Sequence, residues 1–553
     1  MEEKYKIIKC KAGKFKGKCS LEKIVSYKGI PYAKAPVGKL RWKKPEKLEF
    51  IDGIYDATEF GHTQVQAIAT IPEASNYKQS ENCLTLNIWQ RLNELGEFDE
   101  VDYSYNEDKK KKRAVIIWIH GGGFYNGGTA DPIFDGENFV KANDVIFVTI
   151  NYRLGFFGFF DVEPFAYNKD LMSKDAVVDE KKASADDLKN DLRNGDSEKL
   201  EFNSEYRDSC NLGLYDCIAA IKWVKENIEA FGGDPERITL MGESAGATIV
   251  SSLTISPLAN GLFKRAVCMS GTMSWGFIDK KKSTAEAISR KIVEKIGCKT
   301  INELLEMSSD KWRECIDIAI EMYGPFYGMI FTPTADGIII PENPGEALRR
   351  GAAKDIELLI GYCKDEMRYL SLYDPDFYSH MEKCVEDAFL LTGDFPDNYK
   401  EIKKKLLDRT EKDFVDNRWD LLNGIMTHQM TDAICDIQSA YNNTYKYVWN
   451  WKSNIEGFGA CHATDIAFVF NNLDTKFGRA FTGENPPEEL AVIWGEAITA
   501  FAENGEPLIK GIEKWPCYDK ENRMSVEISL NPILVSDERK SAREILSQLN
   551  YWS

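Results

Sequence analysis

The sequence predicts an α/β fold built on a large, mainly parallel sheet covered by helices on both faces. Two observations carry this expectation. Short runs rich in β-branched residues recur along the chain, and most are apolar throughout rather than alternating, as strands buried on both faces are. Between them lie stretches with a helical period. With 553 residues, 43% of them hydrophobic, the chain has ample material for a full core.

The elements follow in order. AVIIWI, from Ala114 to Ile119, comes directly after the basic run Lys109 to Arg113, which reads as a solvated lead-in to a strand. DVIFVTI (Asp144 to Ile150), RITLM (Arg237 to Met241), KRAVCM (Lys264 to Met269), IELLI (Ile356 to Ile360) and YKYVWNW (Tyr445 to Trp451) are further strands. Between the second and third of these, Asn211 to Ala230 sets Leu214, Ile218, Ile221, Val224 and Ile228 near a 3.6-residue period, which predicts a helix. The stretch 168–208, from Asn168 to Asp208, is dense in charge and poor in apolar residues, and predicts a surface insertion. Within it, Ser184 can cap a short helix carrying Leu188 and Leu192 one turn apart.

Composition excludes several functions. The formal charge of -18 repels phosphate backbones and anionic membranes, so nucleic acid is not an expected partner. No apolar run reaches the roughly 18 residues of a membrane span, and lysines interrupt the first residues where an export signal needs an apolar core. The thirteen cysteines form no C-x-x-C pair and no regular spacing, so neither a zinc site nor a disulfide framework is encoded. A cytoplasmic protein with free thiols, needing no metal or organic cofactor, is the expectation.

The chemistry centres on Gly242-Glu243-Ser244-Ala245-Gly246, set between the strand RITLM and an apolar stretch able to form a helix. A serine in this G-x-S-x-G context sits in a sharp strand-to-helix turn, where the flanking positions must be small. A serine hydroxyl is a weak nucleophile at neutral pH and needs a base, which in this geometry is histidine. Five histidines are available. His62 and His120 precede the turn, whereas the usual chain order is serine, acid, histidine. Of the three that follow, His428 lies in a helical segment and His380 reads as a surface residue. His462 lies in the loop after YKYVWNW and is the expected base. The acid that holds its imidazole belongs on a loop between Ser244 and His462, and Asp365 and Glu366 stand just past IELLI. Local sequence does not choose between them. Directly after AVIIWI, the run His120-Gly121-Gly122-Gly123-Phe124 offers backbone N–H groups for an oxyanion. Gly122, Gly123 and Ala245 are the expected donors.

These motifs together resemble the type-B carboxylesterase family, the carboxylesterase and cholinesterase branch of the α/β-hydrolase fold, and are most similar to bacterial para-nitrobenzyl esterases. The resemblance spans nearly the whole chain. It includes YKGIPYAKAPVGKLRWKKP from Tyr27, SENCLTLNIW from Ser80, WIHGGGF, NYRLGFFGF, the long segment from Asn211 through GESAGA, PLANGLFKRAVCMSG, IGYCKDE and GACHATD.

The resemblance implies one α/β-hydrolase catalytic domain over 1–553, acting on small carboxylic esters of short to medium chain or aryl type. It implies Glu366 as the acid, with Glu243 and Ser270 supporting the triad. Met269 stands where the family often has glutamine, and Ala247 replaces a frequent glycine. No cysteine lies between Cys19 and Cys83, so the disulfide usual in secreted members has no partner here. The loop from Gln64 to Gln79 lacks the tryptophan with which cholinesterases hold a choline cation. Phe124, Trp275, Phe326 and Phe331 are candidates to line an apolar pocket. Two other functions remain open on this fold: a non-catalytic binding protein, and an acyltransferase that passes the acyl group to an alcohol or amine.

Overall fold

The computed structural model describes residues 4–66, 78–92, 112–166, 204–273, 280–323, 328, 330–372, 376–379, 381–383, 386, 397–409 and 417–549. Most of the charged stretch 168–208, its expected helix, and Trp275, Phe326 and His380 lie outside these residues.

The chain forms an α/β-hydrolase fold. Its strands are β1 (Lys4–Cys10), β2 (Gly13–Cys19), β3 (Ile24–Pro31), β4 (Ile51–Asp56), β5 (Thr85–Arg91), β6 (Arg113–Ile119), β7 (Ile146–Ile150), β8 (Gly233–Glu243), β9 (Arg265–Met269), β10 (Lys280–Lys281), β11 (Thr334–Ala335), β12 (Glu357–Cys363), β13 (Thr444–Trp449), β14 (Met524–Ile528) and β15 (Ile533–Ser536). β10 and β11 pair separately, and the rest make a 13-stranded sheet ordered β1-β2-β3-β5-β7-β6-β8-β9-β12-β13-β14-β15, with β4 beside β2. From β7 through β14 every neighbouring pair is parallel, and antiparallel strands close both ends.

All six runs expected as strands are found in the parallel block. Their continuous apolarity has the expected cause. In β6, Val115, Ile117 and Ile119 enter one hydrophobic core while Ala114, Ile116 and Trp118 enter the other. Both faces of the strand are thus dry. Helix Leu212–Asn227 and helix Ala245–Thr254 cover the first face, and helix Glu488–Asn504 contributes Leu490, Ile493, Trp494 and Ile498 to the second.

One buried ion pair ties the loop after β7 to helix Leu212–Asn227. Arg153 Nε and Nη2 reach the two oxygens of Asp216 at 2.8 and 2.7 Å, and the Arg153 N–H donates to Asp216 Oδ2 at 3.0 Å. Removing one partner strands the other charge in the core, so Asp216→Ala is expected to cost about 3–5 kcal/mol of stability. A urea unfolding midpoint unchanged from the parent protein would contradict this.

The parallel block has a consequence for chemistry. The loops leaving β6, β8, β9, β12 and β13 all emerge at one carboxyl edge, and ligands of open α/β sheets bind outside such an edge. These five loops carry His120 to Gly123, Ser244, Ser270, Glu366 and His462.

Candidate active site

Ser244 occupies the turn between β8 and helix Ala245–Thr254 with φ 55 and ψ -124, a strained conformation for any residue with a side chain. The glycines around it explain how the turn survives. A Cβ on Gly242 would lie 2.6 Å from the Gly246 carbonyl carbon, and one on Gly246 would lie 2.0 Å from the Ile119 oxygen. The Ser244 N–H donates to the Met269 carbonyl at 2.9 Å, which ties the turn to β9.

The glycine loop after β6 packs directly against this turn. A Cβ on Gly121 would meet Glu243 Oε2 at 2.9 Å and Ser244 Cβ at 3.2 Å. Gly122 and Gly123 both have positive φ, 104 and 62, so the loop curls with its N–H groups off any regular ladder. Among the described residues, nothing accepts a hydrogen bond from the N–H groups of Gly122, Gly123 or Ala245. Free backbone donors of this kind, on the Ser244 turn and on the loop packed against it, are what a developing oxyanion requires. His120 is a structural member of the loop. Its ring stacks on Tyr152 with centroids 4.6 Å apart, and Tyr152 Oη donates to the His120 carbonyl at 2.7 Å. Burial pushes the ring down to about 4, so it stays neutral.

His462 and Glu366 meet at the same edge. His462 Nδ1 lies 2.6 Å from Glu366 Oε2, and the His462 N–H donates to the Glu366 carbonyl at 2.9 Å. Glu366 is fully buried, and its second oxygen accepts from the Cys363 N–H at 2.8 Å. Asp365 points elsewhere: its Oδ2 accepts from the Ala460 N–H at 2.9 Å, and its other oxygen lies 3.1 Å from Arg368. Glu243 approaches His462 Nε2 at 3.1 Å, a charge contact without hydrogen-bond geometry. The Ser244 hydroxyl makes no hydrogen bond among the described residues. Such bonds commonly tighten only when substrate is bound.

The remaining expected residues are spread more widely. Ser270 donates from Oγ to Cys363 Sγ at 3.8 Å, so it braces the strand end that holds Glu366 rather than Glu366 itself. Phe124 and Phe331 are core residues, packed edge-on against Phe159 and Phe156 at 5.4 and 5.0 Å.

Comparison with known proteins gives this edge a lineage. A profile of the Carboxylesterase family matches residues 4–171 and 202–546. The chain belongs to the carboxylesterase family. The interval between the two matched ranges falls within the charged stretch 168–208. The para-nitrobenzyl esterase of Bacillus subtilis is 29% identical over 549 residues, covering 98% of each chain. An acetylcholinesterase of Leptinotarsa decemlineata is 29% identical over 90% of this chain and 77% of its own. Among solved structures, a thermophilic PNB esterase aligns with a TM-score of 0.79 at 27% identity, over 98% of this chain and 100% of that one. The carboxylesterase of Geobacillus stearothermophilus aligns at 0.77 with 30% identity, over 98% and 99%.

Two neighbours of His462 in this serine carboxylesterase carry no signal that sequence reasoning could weigh. Asp465 is fully buried three residues on, and burial followed by the charge of Glu366 pushes its carboxyl up to about 7. Tyr369 stacks on the imidazole with centroids 5.4 Å apart. GACHATD contains Asp465, yet nothing in the motif says that its carboxylate turns inward.

The carboxylates set the basicity of His462. Burial works against the imidazolium, but Glu243 and Glu366 outweigh it and push the group up to about 9 from an ordinary 6.5. Burial in turn pushes Glu243 up to about 8. A raised histidine holds its proton to higher pH, so the acid limb of kcat/KM is expected above the ordinary imidazole range. Glu243→Gln removes one proton-attracting charge and is expected to move that limb to lower pH. A limb that stays in place or moves up in pH–rate profiles would contradict this electrostatic reading.

Proposed function

We propose that this enzyme hydrolyses carboxylic esters in two steps through an acyl-enzyme on Ser244, with His462 as general base and Glu366 as the acid of the triad. The observation that carries the reading is the 2.6 Å contact between His462 Nδ1 and Glu366, at the sheet edge where Ser244 sits in its strained turn. Ser244 Oγ attacks the ester carbonyl carbon while its proton passes to His462 Nε2. The carbonyl oxygen becomes an oxyanion facing the N–H groups of Gly122, Gly123 and Ala245. As the tetrahedral species collapses, the C–O bond to the alcohol breaks and the leaving oxygen takes the proton from Nε2. Water then repeats the sequence at the acyl carbon, giving up its proton to His462 and releasing the acid and the serine. Glu366 keeps the imidazole in the tautomer with Nε2 free to accept. Glu243 lies 3.1 Å from Nε2 without hydrogen-bond geometry, so that nitrogen is left for serine.

The substrates proposed are esters of short to medium acyl chain or with an aryl alcohol, supported by the likeness to para-nitrobenzyl esterases. The whole chain is read as one catalytic domain, and a cytoplasmic location is supported by the free thiols, among them buried Cys83, whose Sγ–H donates to Gln64 Oε1 at 3.2 Å. No helix among the described residues is long and apolar enough to cross a membrane. A series of p-nitrophenyl esters of increasing acyl length tests the substrate class: kcat/KM should peak among the short to medium chains. A profile that rises steadily into long chains would overturn it. Product analysis with a competing alcohol separates hydrolysis from acyl transfer.

A further inference from the structure

Helix Asn417–Asn423 does not continue as an α-helix into helix Gln429–Gln438. The junction Gly424–His428 is a π-turn, closed by the Gln429 N–H on the Gly424 carbonyl. Such widened turns are rare and concentrate at functional sites. The geometry here suggests what this one does. Five residues of α-helix turn through roughly 500°, which would leave Asn423 and His428 about 140° apart. Closure from i to i+5 brings the second residue back nearly over the first, so both side chains face the same way.

Both meet one loop. Asn423 Oδ1 accepts from the Met367 N–H at 2.9 Å, and His428 Nε2 donates to the Cys363 carbonyl at 3.1 Å. These contacts bracket Glu366. Met367 is the residue after it, and the N–H of Cys363 holds its Oε1 at 2.8 Å. Asn423 is 2% exposed and His428 1%. The His428 ring stacks on Tyr362 with centroids 4.0 Å apart, which fixes its plane. A carbonyl oxygen can only accept, so the ring proton sits on Nε2. Burial, then the charge of Arg539, keeps the ring neutral far below the ordinary imidazole range.

We propose that the π-turn is a clamp that positions Glu366 against His462, with His428 holding the loop before the carboxylate and Asn423 holding it after. The inference rests on the reading of Glu366 as the acid of the triad. Neither residue touches substrate, and both act through Glu366 as positioning residues. A misplacement of about 1 Å in a catalytic group costs on the order of 10²-fold in rate. Loosening one side of the clamp is therefore expected to lower kcat roughly 10- to 100-fold and leave KM within about threefold.

The test compares kcat and KM for a p-nitrophenyl ester in folded variants, checked by circular dichroism and urea midpoint. His428→Met fills the space and removes the donor, whereas His428→Gln offers an amide N–H to the same carbonyl and should recover most of the lost kcat. Asn423→Leu removes the other contact, leaves His428 in place and should give the same kcat-only loss, which keeps the test open if His428→Met does not fold. On a Glu366→Gln background, His428→Met should add less than about twofold, because both changes act on one group. Parent-like kcat in His428→Met or in Asn423→Leu, a loss that His428→Gln does not recover, a loss shared by KM, or full multiplication with Glu366→Gln would each overturn the clamp alone. Parent-like turnover in Glu366→Gln itself would instead overturn the triad reading, and the clamp with it.

Discussion

Ser244→Ala is expected to lower hydrolysis of short-chain p-nitrophenyl esters by a factor of about 10⁴ or more while the protein stays folded. On the proposed mechanism the substitution deletes the one atom that forms the bond to substrate. It leaves the turn intact, because the strained backbone at φ 55 is held by the close packing of Gly242 and Gly246 and by the hydrogen bond to Met269, none of which uses the hydroxyl. The oxyanion donors survive as well, so a small residual rate above water is part of the expectation. Purified Ser244→Ala with substantial turnover and an unchanged urea midpoint would remove Ser244 from its role.

Glu366→Gln is expected to reduce kcat by about 10³ to 10⁴, and Asp365→Asn by less than about tenfold. The two carboxylates are adjacent in the chain but do different work. Glutamine at 366 can still touch His462 Nδ1, yet it lacks the charge that, on the proposed mechanism, stabilises the imidazolium as Ser244 loses its proton. Asp365 holds the Ala460 N–H and faces Arg368, so its loss loosens the loop without changing the charge on the imidazole. Steady-state kinetics on the two variants side by side make the comparison. The reverse order would transfer the acid to Asp365.

The same pair shows where sequence reasoning stops. Chain order and strand pattern place an acid after IELLI, but the choice between neighbours depends on which carboxylate the Cys363 N–H and the His462 ring receive, a tertiary matter. The likeness to carboxylesterases supplied Glu366, and that is the carboxylate beside His462 in the structure. The central strands were legible because burial on both faces leaves no polar position to confuse the pattern. The amino-terminal strands were not, because β1 and β2 read KYKIIKC and GKFKGKC, lysine-rich strands at one end of the sheet that bury only one and three residues. Asp465 and Tyr369 stayed hidden for a related reason. One inward carboxylate and one aromatic stack leave no periodic trace. His428 was read as an ordinary helical histidine, and only the π-turn reveals that its ring faces the same loop as Asn423.

The central claim is that Ser244 is a nucleophile activated by His462. Labelling the purified protein with a fluorophosphonate, followed by intact mass and peptide mapping, tests it without knowledge of the physiological ester. One label per chain on Ser244, lost in His462→Ala, is the predicted result. Folded protein that takes up no label, or takes it up on another residue, would contradict it.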